Sequence, residues 1–382
     1  MGTGEDFSRR ASVLLRDRGI SIRAAARALA YDHAYLARVL AGKQSPSPQL
    51  VDAFERYFLP RPSSTADDVV LSGPQVSAAR GADLADAIRA ASKRLVLLDN
   101  SLTGVPIAEM AARTFRTVHH RLGIGDYDAR YERDIQAAAA ELAEVAGWAC
   151  FDAEKHSAAR RFNQEALLLA QLSGDRSIEL LIMQNLAMHA GWLGRHREEL
   201  AIARAVLEGR PLPPRVEAMF RVREAKGLVG SGQLEAGAKA FGRARALYAD
   251  GEHHHDPYWA WWLTPGEIDG HEGYGFQVSG DHSRGIPYLE RALHLSEPVA
   301  VGYRSISAAR LLDCLLAVRR WRDAEDLALR VTPTVHEIAS GRTLSLLRDA
   351  AEKGRRIEGA PVDVRDALSA LATAVDADPF DL

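Results

Sequence analysis

Apolar residues recur at helical spacing through most of this chain, and the pattern is interrupted only by short polar breaks. Over residues 6–58, short apolar segments between turn residues predict a compact bundle of four or five helices. Ser21 is a candidate N-cap, and Asp32 precedes a helix predicted over residues 33–40, which ends before Gly42. No segment alternates apolar and polar residues for long enough to form a sheet. The pattern therefore predicts an all-α fold.

Composition divides the chain into regions. Prolines, serines and glycines break the helical pattern after the N-terminal bundle, which predicts a linker there. Helical segments then continue to the C-terminus, beginning with residues 83–98 and 107–121. The predicted organisation is an N-terminal domain at 1–59, a linker at 60–82, a helical connecting region at 83–139 and a repeat domain at 140–382.

The repeat domain shows a period of about 40 residues. A small or short residue followed by apolar residues three to four positions later recurs five times, at intervals of 40, 38, 48 and 39 residues. These anchors are Ala159, Glu199, Gly237, Gly285 and Ala324. Because a pair of helices cannot bury its apolar face alone, a repeat of this length predicts a helical solenoid with a concave inner face.

Residues 20–43, ISIRAAARALAYDHAYLARVLAGK, resemble the helix-turn-helix of the lambda-repressor-like (XRE) family. The features that match are Ser21, the small pair Ala25 and Ala26, the apolar Leu36 and Val39, Arg38, and the closing Gly42 and Lys43. The later helices resemble tetratricopeptide repeats, with small residues such as Gly147 and Gly273 where helices cross. Together these resemblances imply an XRE-type transcriptional regulator that carries a tetratricopeptide-like sensor domain, a layout shared with peptide-responsive receptors.

Charge agrees with a DNA-contacting N-terminus, since residues 1–62 carry a net charge of +4 and the remainder −7. In a helix-turn-helix, the second helix enters the major groove and the first crosses the backbone. The resemblance places His33, Ala34, Ala37 and Arg38 at the groove, and Ser21, Arg23, Tyr35, Lys43 and Gln44 at backbone-positioning sites. Arg38 is the best candidate for reading a base, because a guanidinium can bridge guanine O6 and N7.

The concave face of such a solenoid is lined mainly by the first helix of each pair. Mapping inward positions gives a candidate ligand-binding set of Trp148, Gln184, Met188, Lys226, Glu267 and Tyr274. A few polar groups among apolar walls are typical of pockets for peptides or small molecules. Each residue taken singly is also compatible with ordinary repeat packing.

The longest repeat interval contains an insertion with three consecutive histidines, His253 to His255, and three tryptophans at 259, 261 and 262. Large aromatic residues at a repeat junction are expected in the core. Adjacent histidines point in different directions, and no paired-ligand motif accompanies them, so no metal or cofactor is expected. No nucleophile elbow or phosphate-binding loop occurs either, and no catalytic activity is predicted.

Neither a membrane-spanning segment nor a secretory signal is recognisable, and the two cysteines, Cys150 and Cys314, read as reduced core thiols, so a cytoplasmic protein is expected. The leading hypothesis is a sequence-specific regulator that binds a double-stranded DNA operator as a homodimer and senses a peptide, a small molecule or a protein partner. The alternative is a non-enzymatic interaction scaffold whose N-terminal bundle docks a protein and does not bind DNA.

Overall fold

A computed structural model of the chain divides into two compact units, residues 1–71 and 72–382. The structure describes residues 79–101, 107–251, 253, 255–295, 301–338 and 340–377, together with 7, 8, 11, 12, 15, 22, 25, 26, 29, 31, 33–41, 43, 44, 46, 50, 51, 54 and 76. Every regular element in these described residues is helical, which confirms the predicted all-α class. The predicted linker, 60–82, lies almost wholly outside them.

The first unit is organised around a small apolar core. One helix, α1 (His33–Leu40), lies at the position predicted from the sequence. Its Leu36 and Val39 are fully buried, together with residues from both sides of it in the sequence. The rings of Phe7 and Phe54 meet edge to face with centroids 5.3 Å apart, so the two ends of the bundle close on each other.

The second unit contains fourteen α-helices among its described residues. Their bounds are α2 (Ala82–Ser101), α3 (Ile107–Gly123), α4 (Glu132–Asp152), α5 (His156–Ser173), α6 (Arg176–Trp192), α7 (His196–Leu207), α8 (Pro214–Gly230), α9 (Leu234–Ala249), α10 (Pro265–Val278), α11 (His282–Leu295), α12 (Val301–Ala317), α13 (Trp321–Val331), α14 (Gly341–Arg355) and α15 (Val362–Asp376). Short 3-10 turns lie at Ala129–Tyr131, Tyr258–Trp262 and Thr332–Glu337.

From α4 onward, consecutive helices form six pairs that stack in chain order. Each even-numbered helix packs on the helix that follows it, and also on the even-numbered helix of the next pair. We call α4, α6, α8, α10, α12 and α14 the A helices, and α5, α7, α9, α11, α13 and α15 the B helices. The five repeat anchors predicted from the sequence all lie on B helices, α5 to α13.

The anchors are buried because they sit where helices cross closely. Ala159 and Ala324 are fully buried, and so is the carboxylate-bearing Glu199. Glycines on the A helices face the same B helices at close range. A Cβ added at Gly273 would lie 2.7 Å from Leu289 Cγ, and one at Gly147 would lie 2.6 Å from Asn163 Nδ2. Small residues therefore set the spacing of the pairs, as the period suggested.

The predicted boundary between residues 139 and 140 falls inside α4, which runs unbroken from Glu132 to Asp152. Helices α2 and α3 both pack on α4, and their apolar residues belong to the same core cluster. The region predicted as a separate connector, 83–139, is thus continuous with the first pair. Alanine-rich helices carry little signal for where one packing unit ends and the next begins.

The two ends of the stack meet. Asp152 Oδ1, at the end of α4, accepts hydrogen bonds from Ser340 Oγ at 2.8 Å and from the Arg342 guanidinium at 2.9 and 3.0 Å. The Ser345 hydroxyl donates to Glu154 Oε2 at 2.6 Å beside them. The first and sixth pairs are therefore joined across about 190 residues of sequence.

The insertion between α9 and α10 packs into the stack as a 3-10 turn, Tyr258–Trp262. Trp259 is buried, and its Nε1 donates to Ser177 Oγ on α6 at 3.0 Å. Trp259 therefore belongs to the core, as expected from the sequence. Among the described helices, none combines the length and apolarity needed to cross a membrane.

Replacing Arg342 with alanine is expected to lower the free energy of unfolding of the second unit by about 3 kcal/mol, because Asp152 would keep its charge without a cation. Urea denaturation followed by circular dichroism measures the loss. The control is Arg348→Ala on the same helix, whose exposed pair with Asp376 should contribute less than about 1 kcal/mol. Equal losses for the two variants would show that the ends are not held by this pair.

Candidate functional site

In the first unit, α1 presents one polar face. Its Leu36 and Val39 point into the core, so Arg38, which is exposed, is directed away from it. Arg38 Nε donates to Gln44 Oε1 at 2.9 Å, which holds the guanidinium beside the residues that follow the helix. Lys43 is exposed next to this pair in the sequence. These side chains form a small polar surface with a net positive charge.

Two features fix the ends of α1. The Ser12 hydroxyl donates to the Leu40 carbonyl at 3.1 Å and satisfies one of the open acceptors at the helix C-terminus. The rings of Tyr31 and Tyr35 stack at 6.0 Å, so Tyr35 packs back on a residue that lies two positions before the helix. Ala37 is partly exposed beside Arg38.

Of the remaining predicted DNA contacts, His33 and Ala34 lie in the first turn of α1, where the structure describes the backbone alone. Ser21 and Arg23 lie outside the described residues. The structure therefore describes the candidate base-reading helix, α1. The contacts proposed for Ser21 and Arg23, in the segment before it, stay predictions.

In the second unit, the A helices carry a group of polar and charged side chains on buried or partly buried positions. We call this group the inner cluster: Glu199, Arg223, Lys226, Glu267, His271, Tyr274, Arg310 and Arg342. All but Glu199, which is on the B helix α7, belong to A helices. Four of its members are cations, and they come from α8, α12 and α14.

Lys226 and Glu199 form the most deeply buried ion pair of the inner cluster, with Nζ 3.1 Å from Oε1. The Glu199 side chain fits because Gly191 on α6 has no Cβ to collide with it. Burial lowers the pKa of Lys226 to about 8, while the Glu199 carboxylate works in the opposite direction. The pair is therefore a rigid element in the wall of the cluster.

Arg223 is only 1% exposed, and no carboxylate of a described residue lies within ion-pair distance of it. Its Nε donates to Gln184 Oε1 at 3.2 Å, and its Nη1 is 3.4 Å from His271 Nε2. Burial lowers the pKa of Arg223, and Glu199 and Glu267 oppose the shift. Neutral acceptors thus hold this guanidinium in place without cancelling its charge.

The other two arginines face aromatic rings. The Arg310 guanidinium lies 4.0 Å from the centroid of Tyr274, and Lys226 Nζ lies 5.6 Å from the same ring. Arg342 lies 4.0 Å from the ring of Phe151, and its guanidinium also approaches the indoles of Trp148 and Trp192. Aromatic faces attract cations through their quadrupole, so these rings compensate the charges in part.

Glu267 is the carboxylate that the cations share. It lies 3.6 Å from His271 Nε2, and Arg223, Arg310, Lys226 and Arg342 all act to lower its pKa against the larger opposing effect of burial. Burial and the neighbouring cations hold the pKa of His271 well below its usual value, so this imidazole is neutral. Glu267 keeps 28% side-chain exposure, and it can therefore reach a bound molecule.

Five of the six predicted ligand-binding residues lie in or beside the inner cluster. Gln184, Lys226, Glu267 and Tyr274 belong to or contact the inner cluster, and Trp148 lies beside Arg342. Met188 instead packs against the apolar core formed by the first pairs. The sequence did not single out Arg223, Arg310 or Arg342, because an arginine on a helix is usually solvated. The sequence signal that could have found these arginines is the repeat period, because each of them lies on an A helix.

A cavity of about 400 Å³ opens beside the inner cluster. Its lining comes from α6, α10, α12 and α14, and includes Trp192, Tyr274, Arg310, Leu346 and Lys353. Its size falls in the range of small-molecule pockets, and its walls combine apolar side chains with two cations and two carboxylates. No group of three or more histidine, cysteine or acidic side chains among the described residues is arranged to hold a metal ion.

One carboxylic acid lies between the first two A helices. Glu144 Oε1 accepts a hydrogen bond from Asn185 Nδ2 at 2.6 Å. Burial raises the pKa of Glu144 to about 7, while the hydrogen bond from Asn185 opposes that shift. The A-helix face therefore holds a group that titrates near neutral pH.

Comparison with known proteins finds no family model that matches the chain and no curated protein that is similar to it.

Glu144 makes stability depend on pH. Its folded pKa is raised, so the folded protein binds an extra proton between about pH 4.5 and 7, and stability falls as pH rises through that window. Glu144→Gln keeps the acceptor for Asn185 without a charge, so it should raise unfolding free energy at pH 8 by up to about 3 kcal/mol and leave it nearly unchanged at pH 4.5. Urea titrations at the two pH values test this, with the exposed Glu358→Gln as control. A gain of the same size at both pH values would contradict it.

Proposed function

We propose that this chain is a sequence-specific, DNA-binding transcriptional regulator. In this proposal the first unit is a lambda-repressor-like helix-turn-helix domain, and the second is a tetratricopeptide-like domain that binds a regulatory ligand. The observation that carries the proposal is the orientation of α1: Leu36 and Val39 anchor it in the core, and Arg38 is exposed on the opposite side. A recognition helix needs this arrangement to enter a major groove.

The inner cluster supports the second half of the proposal. Buried charges that serve packing alone are normally paired, whereas Arg223 and Arg310 have no carboxylate partner among the described residues. A cavity lies next to them. These features favour a ligand-binding role over a purely structural one. No catalytic step belongs to the proposal.

A regulator of this kind works as a homodimer, because one helix-turn-helix reads too few base pairs and two-fold symmetry supplies the second half-site. Ligand binding would change DNA affinity only through a difference in affinity for two arrangements of the protein. Sedimentation of the purified chain at micromolar concentration tests the first statement, since a dimer has twice the mass of one chain.

The DNA proposal is tested with the full-length protein. Selection from a random duplex library, followed by gel-shift titration of the enriched sequence, should give a preferred site whose affinity falls with added salt. Arg38→Ala should weaken binding to that site by about tenfold or more, because a bidentate contact to guanine contributes about 1–3 kcal/mol. Arg356→Ala, an exposed arginine on the second unit, is the control and should bind normally.

Circular dichroism and a thermal transition equal to the wild type's would show that Arg38→Ala is folded. If no duplex is enriched, or if Arg38→Ala binds like the wild type, the DNA proposal fails. A protein-interaction scaffold whose N-terminal bundle docks a protein would then be the better account of this chain.

A further inference from the structure

Arg310 is the least compensated charge of the inner cluster. It is 7% exposed, and no hydrogen bond joins its guanidinium to another described residue. An arginine has five N–H donors, and no nitrogen of Arg310 is among the fully buried side-chain atoms that lack a partner, so these donors remain accessible. The Tyr274 ring covers one face of the guanidinium, which leaves the N–H edge free to donate. Arg310 is one of the residues that line the cavity.

The charges of the inner cluster do not balance. Lys226 is paired with Glu199, and Arg342 is paired with Asp152. That leaves Arg223 and Arg310 against the single carboxylate Glu267, which is an excess of one positive charge. Because His271 is neutral, it does not change the count. A guest with one negative charge would complete the cluster.

Two carboxylates, Asp313 and Asp349, line the cavity together with the cations Arg310 and Lys353. Asp313 is neutralised by Lys353 Nζ at 2.6 Å, and it also accepts from Gln277 Nε2 at 2.6 Å. Asp349 is exposed to solvent, which screens its charge. The remaining walls are mostly apolar and include Trp192 and Leu346.

We propose that the cavity between α6, α10, α12 and α14 binds an organic acid with a single negative charge and an apolar body, whose anionic group accepts hydrogen bonds from Arg310. The apolar body would lie against Trp192, Tyr274 and Leu346, where burial of its surface supplies most of the affinity. Charge-assisted hydrogen bonds from Arg310 supply the selection for an acid. This inference names the ligand class of the sensor domain in the proposed function and rests on it.

The test compares two probes with the same aromatic rings. 1-Anilinonaphthalene-8-sulfonate carries one negative charge, and N-phenyl-1-naphthylamine is its neutral counterpart. Both are titrated into the full-length protein without DNA. The wild type should bind the sulfonate more tightly, and Arg310→Gln should lower that affinity by about tenfold or more while leaving the neutral probe unchanged. Sodium decanoate should displace the sulfonate, and 1-decanol at equal concentration should displace less.

Two further variants make the result specific. Arg310→Lys keeps the charge and should retain part of the preference for the sulfonate, whereas Arg356→Gln, on the exposed surface, should behave like the wild type. Arg310→Gln should fold at least as stably as the wild type, because it removes an uncompensated buried charge. If Arg310→Gln binds the sulfonate as tightly as the wild type, or if decanoate does not compete, the inference is overturned.

Failure of this inference can be told apart from failure of the proposed function. Arg38→Ala should bind both probes like the wild type. If the protein recognises no DNA but still binds the sulfonate through Arg310, the proposed regulatory function fails and the organic-acid site stands. If the protein recognises DNA but its sulfonate binding does not depend on Arg310, the organic-acid site fails and the regulator has no identified ligand.

Discussion

The close approach of helices at small residues is the constraint on which the second unit depends. A pair of helices that crosses at glycine or alanine leaves room for one large side chain from its neighbour, and a Cβ on the glycine would force that side chain to move. At some crossings this side chain is apolar, as Leu289 is against Gly273. At Gly191 it is the carboxylate of Glu199, which then fixes Lys226. A glutamate in place of an apolar residue at one of these repeated packing positions thus brings charge into the interior of the stack.

The inner cluster places further charged side chains on four A helices, α8, α10, α12 and α14. Lys226 and Arg342 each have a carboxylate partner, whereas Arg223 and Arg310 are held by an amide, a neutral imidazole and an aromatic ring. Such partners orient a guanidinium and cost less desolvation than a second buried ion, but they leave its charge in place. Preorganised positive charge next to an apolar cavity is how pockets combine selectivity with affinity, because the protein does not need to rearrange when an anion enters.

Much of the helical framework could be predicted from the sequence. The period of about 40 residues located the B-helix anchors, and the capping and apolar pattern gave α1 its bounds. Inward positions on A helices predicted Gln184, Lys226, Glu267 and Tyr274. The arginines of the cluster could not be predicted in the same way, since their burial follows from contacts between pairs. The pairing of Asp152 with Arg342 joins residues 190 apart, and no local pattern encodes it.

The meeting of the two ends also has an optical consequence. Arg342 is surrounded by the rings of Trp148, Phe151 and Trp192, so two indoles that lie on α4 and α6 share one cation that α14 supplies. Indole emission responds to nearby charge and to water. If the last pair moved away from the first, both indoles would lose that cation at once. The separation would then change the intrinsic tryptophan fluorescence, and no added dye would be needed to detect it.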